Sequence, residues 1–381
     1  MSPGPVVVQP VTSGRDLDAF VALPKRLYRG RKGYVAPLDL ERKETLSRKK
    51  NPFFKHAEGE LFLARRGGEV VGRVSAQACR LHQEKYRNDT AQFGWLDTID
   101  DIHVMRALAD AAAAWAKARG ARRLLGPFSF SSNEESGLLV DGFDATPMLM
   151  MPYHLPYQGR LVEACGFTKA KDLLAYTVDK AAYHAVGSSR MLDKMQSDGR
   201  IRLRSLDMKN YKRDLAALLQ VFNDAWSENW EMVPFAQPEI EAAAASMKPL
   251  IDPDLVVIAE IDGEVAGMLV CLPNLLEAVR DLDGSLLPFG FAKLLWRLKR
   301  KTLKTARVPL MGIRKKYHGT LTGAALLPLM FHRLKGPFFA RGLEQVELSW
   351  ILEDNMPMRR VLEGIGAKVY KTYRVYEKAI A

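Results

Sequence analysis

Long apolar runs are missing from this 381-residue chain: none reaches the roughly 18 residues that crossing a bilayer requires. The opening Met1-Ser2-Pro3-Gly4-Pro5 lacks both the basic segment and the apolar core of a signal peptide, so a cytoplasmic location is expected. Cysteine is scarce. Cys79, Cys165 and Cys271 are odd in number and far apart, which argues against a disulfide framework or a zinc site and predicts reduced, buried thiols; no metal is expected. Acidic residues vanish between Asp283 and Glu344, sixty residues that hold thirteen Lys or Arg. Because the net charge of the whole chain is +12, the remainder is near neutral. Such concentration points to a local anionic partner, whether a phosphate-bearing ligand, a membrane surface or nucleic acid. Zinc, RRM and helix-turn-helix signatures are also lacking, so nucleic acid is not the expected partner.

What is present describes a globular protein of 48% apolar and 26% charged residues, long enough for two domains. An internal repeat sets their boundaries. Residues 62 to 76 align with 257 to 271, sharing Ala, Gly-Glu-Val and a following Gly, and residues 161 to 167 align with 361 to 367. Gly67-Gly68 and Asp262-Gly263 are two-residue hairpin signals between β-rich runs. The two offsets, 195 and 200, are nearly equal and indicate duplication. The expected fold is α/β, with a unit at residues 1–180, a linker at 181–199 and a second unit at 200–381.

In the first unit, Asp16 to Tyr28 has helical spacing, Glu60 to Gln77 forms the hairpin, and Ile102 to Arg119 is an alanine-rich helix closed by Gly120. The long loop Gly126 to Gly137, followed by Met148 to His154, reads as a wall of an apolar-substrate site carrying Asn133, Glu134 and Tyr153. In the second unit a strand from Ile201 to Leu206 and a helix near Leu215 to Trp226 precede Trp226-Ser227-Glu228-Asn229-Trp230, where Asn229 and Trp230 are further substrate candidates. Phe291, Leu294, Leu295 and Leu298 fall at i, i+3, i+4 and i+7, with Lys293, Arg297, Arg300, Lys301 and Lys304 mainly opposite. This predicts an interfacial helix whose apolar face, including Phe291 and Leu295, meets acyl chains and whose cations meet an anionic membrane surface or a phosphate-bearing acyl donor.

Residues 308 to 323 read as a strand, a tight turn and a helix start. Gly319 and Gly323 permit close backbone approach, the helix beginning near Thr322 aims N–H groups outward, and Arg314, Lys315 and Lys316 add charge, so the stretch suits phosphate. The matching place in the first unit carries Asp97, Asp100 and Asp101, which would repel phosphate.

Tyr317-His318-Gly319-Thr320-Leu321-Thr322-Gly323 resembles the coenzyme A turn of the GNAT acyltransferase superfamily, with His318 replacing its arginine and Leu321 its middle glycine. Trp350 to Met358 and Gly364-Ile365-Gly366-Ala367 follow at that superfamily's spacing. The resemblance implies two tandem GNAT-like units, each a mixed twisted sheet flanked by helices. It implies acyl-CoA as cosubstrate, no permanently bound cofactor, and coenzyme contacts from Ile313, Arg314, Lys315, His318, Gly319, Thr320, Thr322, Gly323 and Asn355. Asn229-Trp230 with Pro234, the basic Leu/Phe segment after Leu286 and the ending Lys371 to Lys378 further resemble the bacterial ceramide synthase group. That resemblance implies transfer of a fatty acyl group to a long-chain amine, the sphingoid base. Glu347, Glu353 and His318 are the candidate bases, and Leu362 stands where many GNAT enzymes carry an acidic tyrosine. Another GNAT-type acyl- or aminoacyltransferase and a basic nucleic-acid-binding protein that is not an enzyme are the alternatives.

Overall fold

The computed structural model describes residues 4–186, 197, 199–248, 251–300 and 302–380. Of the expected linker, residues 187–196 and 198 lie outside the described residues, as does Lys301. The first half runs β1 (Val6–Pro10), α1 (Gly14–Leu27), α2 (Asp39–Leu46), β2 (Ala57–Arg66), β3 (Glu69–Cys79), α3 (Arg80–Tyr86), β4 (Thr90–Thr98), α4 (Ile102–Lys117), β5 (Arg123–Gly126), β6 (Leu138–Asp141), α5 (Tyr157–Ala164), β7 (Thr168–Asp179) and α6 (Lys180–Ala185). The second runs β8 (Ile201–Ser205), α7 (Tyr211–Ala225), α8 (Gln237–Met247), β9 (Val256–Ile261), β10 (Glu264–Pro273), α9 (Leu275–Val279), α10 (Gly290–Lys299), β11 (Thr305–Ile313), α11 (Leu321–Ala340), β12 (Gln345–Leu352), α12 (Met356–Gly364) and β13 (Lys368–Ala379).

Both hairpin turns form where the glycine pairs announced them. Gly67 and Gly68 have φ of 55° and 85°, and Asp262 and Gly263 have 51° and 85°, the positive values that a two-residue turn matching strand twist demands. Helix starts are set by side-chain caps: the Asp101 carboxylate accepts the His103 and Val104 N–H groups, and Thr320 Oγ1 accepts that of Gly323. On the sheet faces, α4 buries Val104, Leu108 and Ala112, while α11 buries Leu326, Met330, Phe331 and Leu334. Each large apolar side chain so buried contributes about 1.5–3 kcal/mol.

The strands join in one mixed sheet in the order β1-β2-β3-β4-β5-β13-β7-β12-β11-β10-β9-β8, with β6 also on β13. The order is a palindrome of equivalent strands in which the halves exchange their last members. Strand β7 pairs antiparallel with β12, β13 pairs antiparallel with β5, and β7 and β13 pair with each other at the centre. Each half therefore completes the sheet of the other. In both halves one parallel pair holds together only at its start. Thr90 to Gln92 match Arg123 to Leu125, and Thr305 to Val308 match Gln345 to Leu348, after which the strands part.

The amphipathic segment differs from its sequence expectation. Leu294 and Leu298 turn inward and pack on the core, whereas Phe291, Leu295 and Trp296 are exposed, as are Leu287 and Phe289 ahead of the helix. The four-residue stripe is split because α10 lies against α9 along one side and faces outward on the other. Its charge is also partly spent: Lys293 and Arg297 both bind Asp281, and Lys304 binds Glu344.

Candidate active site

Where β11 and β12 part, a cavity of about 290 Å³ opens between them and continues under α7. Its walls are apolar, among them Leu215, Leu219, Phe222, Trp226, Leu310 and Leu352. Arg307 is the one charged side chain of its lining among the described residues. Asn133, one of the three residues expected to wall a substrate site, lines this cavity, as do Asn229 and Trp230. Asn133 is itself anchored, its Nδ2 donating to Val233 O at 2.8 Å.

The floor of the parting is a buried polar cluster. Arg307 Nε lies 3.3 Å from Glu347 Oε1 and donates to Ser349 Oγ at 2.8 Å, and its Nη1 donates to Leu149 O at 2.9 Å. Glu347 also accepts from Ser349 Oγ at 2.6 Å and from the Tyr370 hydroxyl. Burial pushes the Arg307 pKa down from its ordinary value, with Glu347 opposing the shift. Burial, then Glu347, pushes the Tyr370 hydroxyl far above the usual range. Trp350 stacks under the Arg307 guanidinium at 4.6 Å, and its buried Nε1 has no partner among the described residues. Of this cluster the sequence singled out only Glu347. Arg307 looked like one more cation of the acid-free stretch, and Ser349 and Tyr370 offered no signal, since their meeting depends on strand pairing.

The glycine turn follows β11 directly. His318 Nε2 donates to Ile313 O at 3.1 Å, and Thr320 caps the helix on which Leu321 and Thr322 are the first residues. A Cβ on Gly323 would stand 1.9 Å from Tyr317 O, so glycine there is demanded by the turn itself; Gly319 has φ of 73° and open space around it. Lys315 N donates to Asp224 at 2.8 Å, its Nζ reaches Glu228 at 2.5 Å, and Lys316 binds Glu264. Arg314 has a buried Nε without a partner among the described residues. Asn355 caps α12, its Oδ1 accepting Met358 N at 3.2 Å. Glu353 binds Lys169 at 2.6 Å and accepts Asp172 N at 3.0 Å, and Leu362 is fully buried.

A second cavity, about 440 Å³, lies where β4 and β5 part in the first half. Tyr153 lines it, and Glu134 lines neither cavity. Burial, reinforced by Glu135 and Glu239, holds Glu134 well above the usual carboxylate range. Asp97 is buried here against Arg73 at 2.6 Å and the Tyr28 hydroxyl, while Asp100 pairs with Arg160 and Asp101 with Arg66. Among the described residues no cluster of His, Cys, Asp and Glu could hold a metal ion, and no helix is long and apolar enough to cross a membrane.

A sheet built twice, each time with a parallel pair parting and a helix following, is the tandem GNAT fold. The tandem GNAT protein from the clavulanic acid biosynthesis pathway has the same fold, with a TM-score of 0.57, 99% of both chains covered and 13% identity. Sequence carries the assignment further. The chain is similar to the bacterial ceramide synthase of Caulobacter vibrioides (strain NA1000 / CB15N), 44% identical over 374 residues that cover 98% of this chain and 97% of the relative. It is also 41% identical over 375 residues to Protein YghO of Escherichia coli (strain K12), covering 98% and 95%. No protein-family model matches the chain. The chain belongs to the bacterial ceramide synthase family and is an acyltransferase.

Proposed function

We propose that the protein transfers a fatty acyl group from acyl-CoA to the amine of a sphingoid base, sphinganine or 3-ketosphinganine, to make ceramide or its keto precursor. The observation that carries this reading is the parting of β11 and β12 above an apolar cavity with a single cation in its lining. Beyond Val308 the β12-facing edge of β11 has no strand partner among the described residues, so its backbone groups are available to an extended thioester arm. The acyl chain would fill the apolar cavity, and the coenzyme pyrophosphate would lie at Arg314 to Gly323.

In the reaction the amine nitrogen attacks the thioester carbonyl, the C–N bond forms, the C–S bond breaks, one proton leaves nitrogen, and the thiolate takes one up. Developing negative charge on the carbonyl oxygen calls for donors in a dry site. Arg307 lines the cavity, and the Trp350 Nε1 has no partner among the described residues. Glu347 is the candidate base nearest the parting, and through Ser349 and their direct contact it also holds the Arg307 guanidinium in orientation. Glu353 and His318 are the more distant candidates. Asn355, expected among the coenzyme contacts, caps α12.

The reading takes residues 1–180 and 200–381 as two units, of which only the second binds coenzyme. It includes peripheral docking on an anionic membrane at the cytoplasmic face of the inner membrane, supported by the exposed Leu287, Phe289, Phe291, Leu295 and Trp296 beside Lys299 and Arg300. The test is incubation of the purified protein with mixed acyl-CoAs and either sphingoid base, read by mass spectrometry for N-acyl product and released coenzyme thiol. Absence of amide product, or consumption of aminoacyl-tRNA in its place, overturns the reading.

A further inference from the structure

Helix α10 is apolar on two faces. Outward it exposes Phe291 by 58%, Leu295 by 43% and Trp296 by 51%, while inward Leu294 and Leu298 line the first-half cavity together with Leu276 and Val279 of α9. A cavity that belongs to the first half by its strands is thus roofed by the second half's basic insertion. At its side lies Tyr373, a fully buried residue whose hydroxyl has no partner among the described residues. An orphan hydroxyl of this kind is destabilising unless a ligand or water supplies the missing bond.

The two cavities meet at one residue. Met150 lines both, and its backbone, at φ of 60°, is tethered by Arg307 Nη1, which donates to Leu149 O at 2.9 Å and Met150 O at 3.4 Å. The same guanidinium lines the second-half cavity.

Charge separates what each cavity can take. The second-half cavity adjoins the cationic turn, since Trp226 of its lining packs on Gly312 and Asp224 binds Lys315 N. The first-half cavity has Asp97 at the corresponding place, and its lining pairs Asp97 with Arg73 and Glu135 with Arg42. A polyphosphate is disfavoured there, whereas an apolar chain with a small polar or cationic head is not.

We propose that the first-half cavity binds the tail of the long-chain amine acceptor, entering beneath α10, and that Met150 is the partition across which the amine meets the thioester. The proposal rests on the acyl-transfer reading above and deepens it. The acceptor leaves lipid at the outer face of the helix whose inner face lines its cavity, so its chain crosses little water. Tyr373 supplies a hydrogen bond to the acceptor's polar end.

The test uses the wild-type chain and an octadecylamine carrying a diazirine near its chain end. Saturable photolabelling within residues 275–279 and 294–298 is expected. Labelling within 211–225 or at Ile251, or no saturable labelling, overturns the proposal. Because labelling needs no turnover, a labelled protein that makes no amide refutes acyl transfer and leaves the acceptor cavity standing. Kinetics give a second reading: Leu298→Trp should raise KM for the long-chain amine at least tenfold and leave KM for acyl-CoA within twofold, and Leu219→Trp should do the reverse. If Leu298→Trp does not fold, Leu276→Trp probes the same cavity from the neighbouring helix, and an unchanged amine KM there also overturns the assignment. Met150→Trp, which thickens the partition, should lower kcat at least tenfold with both KM values within twofold; an unchanged kcat removes Met150 from that role.

Discussion

Arg307 and Glu347 face each other on neighbouring parallel strands, one rung before β11 and β12 part, with Nε 3.3 Å from Oε1 and both side chains almost wholly buried. Breaking a buried pair from one side leaves the other charge without compensation, which costs about 3–5 kcal/mol, whereas replacing both by apolar groups is often near neutral. Arg307→Met should therefore lower the unfolding free energy by that amount, and Arg307→Met with Glu347→Leu should recover much of it. Urea unfolding of the three proteins decides; equal losses in single and double variants would show that the pair is not coupled.

Among the candidate bases, Glu347→Gln should lower kcat by roughly a hundredfold or more, since it removes both the base nearest the parting and the partner of Arg307. Glu353→Gln and His318→Gln should change it far less, because Glu353 is held by Lys169 and the Asp172 N–H, and His318 sits on the turn. Steady-state kinetics at saturating acyl-CoA measure this. Wild-type turnover in Glu347→Gln removes the carboxylate from the chemistry.

Coenzyme binding should be one-sided. Arg314→Glu with Lys315→Glu should weaken acyl-CoA binding at least tenfold in calorimetry at low salt, and Asp100→Asn, whose carboxylate pairs with Arg160 at 2.8 Å, should not. Gly323→Ala should also weaken it, as the new methyl would collide with Tyr317 O and distort the helix start. Equal loss in the Asp100 variant would contradict a coenzyme site confined to the second half.

His154 makes stability fall on mild acidification. It is 5% exposed, and its Nδ1 accepts Leu139 N at 3.1 Å, so it is held neutral; burial pushes its pKa down to about 4. A group whose folded pKa is depressed below the unfolded value of about 6.5 stabilises fully above 6.5, and the contribution is lost as pH falls from there toward 4. At pH 5 the loss is about 2 kcal/mol. His154→Asn keeps an acceptor and cannot titrate, so its melting temperature should drop less than wild type between pH 7 and pH 5. Parallel curves would assign the acid sensitivity elsewhere.

The two faces of α10 should respond differently to charge. Phe289→Asp with Trp296→Asp alters exposed positions, so it should abolish flotation with anionic liposomes and leave the melting temperature within about 2 °C. Leu298→Asp inserts a carboxylate into the cavity wall and should destabilise by about 2 kcal/mol or more. Flotation that survives the first variant would deny the membrane face.

Local features were legible in the sequence. The hairpins followed from Gly-Gly and Asp-Gly pairs, which need positive φ whatever surrounds them, α4 followed from its alanine-rich run closed by Gly120, and α11 from strand-turn-helix punctuation. The GNAT-like fold and the family were legible too, because the turn at 317–323 and the segment 350–358 carry their pattern within a few residues. Asn133, Asn229 and Trp230 proved to share one cavity, although they come from different halves.

Only the tertiary structure decided which strands meet. β7 and β13 are both long, central and similarly built, and nothing local tells β7 to join β12 or β13 to join β5; that choice is made by pairing across the whole chain and by burial of both faces. From it follow the position of Tyr370 on Glu347, the roof that α10 forms over the other half's cavity, and the division of an apolar stripe into Leu294 and Leu298 inside and Phe291 and Leu295 outside. The sequence by itself determined turns, helix spacing, the repeat and the cation-rich stretch, since these are properties of neighbouring residues or of the pattern they form. The ion pair and the cavities were left to the fold, because they arise from contacts between residues whose separation along the chain carries no signal.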